Sequence, residues 1–242
     1  MITIVSVIFC PNNKYFHRFE KSIVSILSSD LTDVDKIVVD GWVSSDILWE
    51  KIQDLTKNSK ITVLNRRDRN IGKSSIINEN IPDTPLVIYS DSDIVIFPDT
   101  IQRLKRLSVF DIVIPDQLED CRHYKLLFDK EEYYNNEKIH RISKSEGVAG
   151  GFLMMKNHII KKFKFPNKGP YGSDDVEFFQ SVVKEYSVVV CTSISIVHPF
   201  DNDQRYYDWK VEMSLSAYKE ELTREDVEQR VNSSMEFWNK YL

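Results

Sequence analysis

Apolar, largely β-branched runs punctuate the first half of the chain at residues 2–9, 36–39, 60–64 and 86–89. Charged or turn-forming residues bound each run, as expected of buried strands. The intervening segments 15–28, 45–56 and 72–80 have helical spacing, with Ile23, Ile26 and Leu27 on one face. Alternating strands and helices predict a parallel, right-handed, doubly wound sheet. Further on, the pattern predicts a helix over 99–107, strands over 111–114 and 149–156, a helix over 174–185, and strands over 187–190 and 195–197. Residues 116–145 are polar and aromatic without clear periodicity and read as a partly helical excursion or an active-site flap. In the tail, Val211, Leu215, Tyr218 and Leu222 share one helical face and Val227, Val231, Met235 and Trp238 another. Thr223 with Asp226 resembles a capping box between them. The expected organisation is a main domain over 1–200 and a C-terminal helical pair over 201–242 packed upon it.

A chain of 242 residues with 42% hydrophobic content is long enough for one sizeable core. Its formal charge of −5 gives no general attraction to nucleic acid or anionic lipid. The basic clusters at Arg66, Arg67 and Arg69, at Arg103, Lys105 and Arg106, and at Lys161, Lys162, Lys164 and Lys168 read first as solvated faces. Cys10, Cys121 and Cys191 are scattered in apolar stretches without metal-type spacing, which fits buried thiols in a reducing compartment. No run reaches the roughly 18 apolar residues of a spanning helix, and residues 2–10 lack a basic lead-in and a cleavage site. The expectation is a cytoplasmic protein.

In doubly wound sheets ligands bind beyond the carboxyl ends of the strands. Those ends carry Pro11 and Asn12, an expected Asp-Gly turn at Asp40-Gly41, Asn65-Arg66-Arg67, and Asp91-Ser92-Asp93. Two carboxylates one residue apart offer hard oxygen ligands to Mg²⁺ or Mn²⁺, and an ion there would neutralise a leaving diphosphate. The same aspartates would also serve as helix caps or face water. Asp174-Asp175 opens a helix, where one carboxylate can hold position while the other deprotonates a hydroxyl; a cap and a first-turn acid give the same sequence. His198 follows an apolar strand, placing an imidazole where it either completes a metal site or serves structurally. Arg205 and Lys210, in an aromatic and cationic stretch, are phosphate ligands or anchors of an amphipathic helix.

Taken in order, these motifs resemble those of family 2-like glycosyltransferases of the GT-A fold. The resemblance covers the strand ending in Pro11-Asn12-Asn13, then Asp40, Asn70-Ile71-Gly72-Lys73, Asp91-Ser92-Asp93, Gly147-Val148-Ala149-Gly150-Gly151-Phe152, Tyr171-Gly172-Ser173-Asp174-Asp175 and His198, spanning residues 2–200. It implies an α/β, Rossmann-like, mostly parallel central sheet flanked by helices. It also implies metal-dependent, inverting transfer of a sugar from a nucleoside-diphosphate donor, by default a UDP-sugar, to an acceptor hydroxyl.

On that resemblance Asp40 contacts the base or ribose, and Pro11, Asn12, Asn70, Gly72 and Ser92 line the donor pocket. Asp93 binds the metal, Mn²⁺ or Mg²⁺, directly; Asp91 meets the ribose or a metal-bound water, and His198 completes the ligand set. Gly150, Gly151 and Tyr171 face the acceptor, and Asp175 is the general base with Asp174 beside it. The acceptor is left open among a glycan, a glycolipid, a protein and a modified DNA base. Two departures stand out: Asp40-Gly41 is followed by Trp42-Val43-Ser44-Ser45-Asp46 in place of a tight Gly-Ser run, and Asp174 stands where many relatives carry glutamate.

Two rival classes share parts of the pattern. A haloacid-dehalogenase-like phosphohydrolase would form an aspartyl-phosphate at the strand end Asp91-Ser92-Asp93 with Asp174-Asp175 as further carboxylates, but three strand–helix units would precede that strand without a role. A non-catalytic nucleotide-sugar or glycan-binding module would keep the fold and not need both acidic pairs.

Overall fold

A computed structural model of the chain describes residues 1–118, 132–142, 150–167 and 174–198, together with Asp208 and residues 223–225. The first half builds four parallel strands, β1 (Ile2–Cys10), β2 (Val34–Val43), β3 (Thr62–Arg67) and β4 (Leu86–Asp91), side by side in the order β3-β2-β1-β4. The connecting helices are α1 (Asn13–Leu27), α2 (Asp46–Thr56) and α3 (Lys73–Glu79). Strand parity divides the apolar residues between two cores. Ile2, Ile4, Ile8, Leu86 and Ile88 join Phe16, Phe19, Ile23 and Ile26 of α1 and Leu48 and Ile52 of α2. Val5, Val7, Val87 and Tyr89 join Ile76 and Ile77 of α3 on the opposite face. Both faces are covered, which is why these strands read as continuous rather than alternating apolar runs.

The second half continues with β5 (Val95–Ile96), α4 (Thr100–Arg106), β6 (Ile112–Leu118), β7 (Glu132–Tyr134), β8 (Glu137–Arg141), β9 (Phe152–Lys156), α5 (Asn157–Lys162), α6 (Asp174–Val182) and β10 (Val188–Val197). The full order is β3-β2-β1-β4-β9-β6-β10-β8-β7, with β5 paired to β10. Seven of the ten strands share one direction; β5, β8 and β9 oppose it. The sheet is thus mostly parallel, but β9 lies antiparallel between β4 and β6, where a purely parallel sheet is the sequence expectation.

Three other expectations change. Asp40 and Gly41 do not form a turn: β2 runs on to Val43 because Asp40–Val43 stay paired with Val7–Cys10 of β1. The two predicted strands near 187–197 are one strand, irregular between Cys191 and Ser195. Within 116–145, β6 extends to Leu118 and residues 132–141 form a hairpin, β7–β8, on the sheet edge. That hairpin is fastened by Glu137, which is buried and takes both arms of the Arg103 guanidinium at 2.8 and 2.6 Å, while the Ser193 hydroxyl donates to it at 2.5 Å. Among the described residues no helix is long and apolar enough to cross a membrane. The predicted C-terminal helical pair lies almost wholly outside the described residues.

Candidate functional site

The carboxyl ends of β1, β2, β4, β6 and β10 bring together most of the residues singled out in the sequence. Asp91 ends β4, Ser92 and Asp93 turn away from it, and His198 follows the last residue of β10. His198 Nε2 stands 3.5 Å from Asp93 Oδ1, and Arg18 of α1 reaches within 4.0 Å of the other Asp93 oxygen. Burial works to raise the Asp93 carboxyl, but the hydrogen bond and charge of His198, with Arg18 behind it, hold it below the usual carboxylate range. Asp91 goes the other way: burial raises it, opposed by Lys73, whose Nζ lies 2.8 Å from Asp91 Oδ1.

The residues expected to line a donor pocket are short polar side chains that hold the backbone at strand ends. Asn12 caps α1, its Oδ1 accepting from the amides of Lys14 at 3.0 Å and Tyr15 at 3.4 Å. The carbonyl of Pro11 accepts from Ser44 Oγ at 2.9 Å, tying the ends of β1 and β2 together. Asn70 Oδ1 accepts from the Gly72 amide at 3.0 Å, and Gly72, at φ +84°, turns the chain into α3 as an L side chain would rarely do. Asp40 is fully buried and engaged by a fork from Arg67, 2.6 Å to each oxygen, and by Asn80 at 2.8 Å. That fork raises the Arg67 guanidinium still further, so it stays charged. Its own carboxylate occupied, Asp40 holds Arg67 at the end of β3, where Glu79 takes the remaining guanidinium nitrogen at 2.8 Å. Phe9 and Trp42, paired across β1 and β2, stack at 5.5 Å on the same stretch of rim.

The Gly150-Gly151 pair meets the D-x-D directly. The Asp91 amide donates to the Gly151 carbonyl at 2.7 Å, continuing the β4–β9 ladder. Lys73 Nζ, besides meeting Asp91, donates to the Gly150 carbonyl at 2.8 Å, and the Gly150 amide donates to Asp175 Oδ2 at 2.8 Å. One chain of polar contacts therefore runs from Asp91 through Lys73 and Gly150 to Asp175. A Cβ on Gly150 would stand 2.7 Å from Asp175 Cγ and Oδ1, so a side chain here would push that carboxylate aside. The remaining oxygen, Asp175 Oδ1, is buried with no hydrogen-bond partner among the described residues. Asp175 is carried by the first turn of α6, anchored from below by Phe178, which stacks on Phe165 at 4.0 Å.

Tyr171, Arg205 and Lys210 fall outside the described residues, as does the side chain of Asp174. Lys73, Arg18 and Gln117 join the site without having been assigned a role from sequence, and Arg67, expected on a solvated basic face, is instead tied to the buried Asp40. Lys73 had a signal, since it stands directly after Gly72 at the start of a helix; Gln117 had none, being one polar residue at the end of an apolar strand.

The donor chemistry of Asp93 and His198 suits a divalent transition ion such as Mn²⁺, with one hard carboxylate oxygen and one imidazole nitrogen. They fit as a two-residue holder whose remaining ligands come from a diphosphate and water. Asp91 is not joined to them: among the described residues no three acidic, histidine or cysteine side chains are grouped to hold a metal, and Asp91 faces the ammonium of Lys73.

The strand order, the covered sheet and the crevice at the strand ends define the GT-A fold. No family model matches the chain, and no curated protein does. Among solved structures it is similar to residues 1–349 of TarS from S. aureus in complex with UDP-GlcNAc, with a TM-score of 0.63 at 12% identity over 96% of this chain and 71% of that one. The same protein in complex with UDP gives 0.62. GalNAc-T7 with UDP, GalNAc and Mn²⁺ gives 0.63 at 11% identity over 84% of this chain and 44% of that one. At such identities the likeness is one of fold.

Proposed function

We propose that this chain is a glycosyltransferase that moves a sugar from a nucleoside-diphosphate donor to an acceptor hydroxyl, with Asp175 as general base. The observation that carries the reading is the Asp91–Lys73–Gly150–Asp175 chain of contacts, which sets a carboxylate with one free buried oxygen beside the donor end of a GT-A sheet. Asp175 Oδ2 is held by the Gly150 amide, so Oδ1 is the oxygen that receives the acceptor proton. Lys73, Arg67 and Arg18, each paired to a carboxylate, line the rim where a diphosphate would lie. Asp93 and His198 would hold a divalent ion, which when bound neutralises charge on the departing diphosphate. A single base on the acceptor side supports direct displacement with inversion. UDP complexes of proteins sharing the fold support a uridine nucleotide, and two buried free thiols, Cys10 and Cys191, support a reducing, cytoplasmic setting.

The phosphohydrolase alternative draws no support from the fold, and the binding-module alternative leaves the free Asp175 oxygen without a task. The test is a thermal-shift panel of nucleoside diphosphates and their sugars with and without Mn²⁺. A Mn²⁺-dependent rise with one nucleotide sugar names the donor. No rise with any member of the panel refutes the reading.

A further inference from the structure

Gln117 stands at the end of β6 and is 4% exposed, yet its Nε2 is buried with no hydrogen-bond partner among the described residues. A buried N–H donor left unpaired is expensive and calls for a group to receive it. The surroundings say which kind. The point where a Cβ would sit on Gly151 lies 3.3 Å from Asp91 Oδ2, 3.6 Å from Gln117 Nε2 and 3.7 Å from Ile94 Cδ1. An unused donor and a carboxylate oxygen thus face one point beside Gly151, with an aliphatic side chain behind it. A Cβ at that point would be crowded against Asp91 Oδ2, so glycine keeps it clear. Asp91 Oδ1 is turned to Lys73, which leaves Oδ2 to face this point.

A phosphate oxygen would suit Gln117 but be repelled by Asp91. An ammonium would suit Asp91 and leave Gln117 unpaired. A hydroxyl does both, accepting from one neighbour and donating to the other, whether it belongs to a bound water or to a ligand. We propose that Gln117 is a sugar-selecting residue: its Nε2 donates to one hydroxyl of the transferred sugar, and that hydroxyl donates to Asp91 Oδ2. The inference rests on the transferase reading, which supplies a sugar at this end of the crevice. It makes the donor a sugar bearing a free hydroxyl at the position nearest Gly151, and makes the Gln117–Gly151–Asp91 trio the place where a deoxy analogue is refused.

The experiment compares Gln117→Leu with wild type by calorimetric titration of UDP, GDP and dTDP and of their glucose conjugates and UDP-GlcNAc, all with Mn²⁺, alongside the melting temperature of the unliganded proteins. The expected result is unchanged affinity for the bare nucleotide, about tenfold weaker binding of the nucleotide sugar, and an unliganded melting temperature equal to or above wild type, since an unpaired donor has been removed. A series of deoxy-sugar conjugates then contains one member that wild type and variant bind equally. The inference is overturned if Gln117→Leu keeps the full advantage of nucleotide sugar over nucleotide. It is also overturned if the variant melts lower and loses both ligands alike, which marks Gln117 as structural. Wild type binding none of the panel refutes the transferase reading itself, a result distinct from either.

Discussion

A methyl group on Gly150 would collide with the carboxylate of Asp175, at 2.7 Å from its Cγ. Gly150→Ala therefore displaces the proposed base from the amide that orients it; turnover is expected to fall by about a hundredfold, while donor-induced stabilisation persists. Asp175→Asn removes the proton acceptor and keeps the volume, so transfer is expected to fall by roughly 10²- to 10⁴-fold, again with donor binding intact by thermal shift. Equal activity in Asp175→Asn and wild type would remove the base from the mechanism. Arg67→Ala differs in kind, because it leaves the fully buried Asp40 carboxylate without its fork. The cost to stability is about 3 kcal/mol, measured by denaturant unfolding, against less than about 1 kcal/mol for Arg66→Ala, whose partner Asp46 is 86% exposed.

The β7–β8 hairpin and the start of β10 depend on two carboxylates that burial would raise but that their partners win back. Glu137 is lowered by Arg103 and Ser193, and Asp111 by Lys156 and Ser187. A carboxyl lowered in the folded state adds stability above its unfolded value, near pH 4, and loses it as pH falls through the lower folded value. Melting temperature should accordingly be flat above about pH 5 and fall below pH 4; Glu137→Gln should lower the plateau and flatten the fall. The hairpin was hard to read because its strands are short and half polar, yet a local signal exists: Asn135 and Asn136, both at positive φ, form the two-residue turn that asparagine favours. β1, β2 and β4 were legible because strands covered on both faces leave unbroken apolar runs. The direction of β9 was not, since antiparallel and parallel neighbours in a covered sheet demand the same residues. Asp93, His198, Gly150 and Asp175 could be picked out by motif order, whereas the locking of Asp40 by Arg67 depends on register between two strands.

At the scale of the whole molecule, the crevice and the core are one construction, so a ligand in the first should be felt throughout the second. A donor at a hundred times its Kd adds about 2.7 kcal/mol to unfolding, which for a chain of this size is a rise of roughly 5–10 °C in Tm. Asp93→Ala should abolish the Mn²⁺-dependent part of that rise and leave the unliganded Tm within a few degrees.

The antiparallel placement of β9 also carries a timetable. Because that strand runs against its neighbours, it offers its beginning to the crevice, and Asp91 meets Gly151 only after some sixty further residues have been made. A nascent chain halted before that point has β1 to β4 complete and both aspartates of the D-x-D in place, but no carbonyl at Gly150 to receive Lys73 and no amide to seat a base. A pair so distant in sequence carries a large loop-closure cost, so its contact is expected to form late. During synthesis the chain thus has these four strands well before it has the contacts of the candidate site.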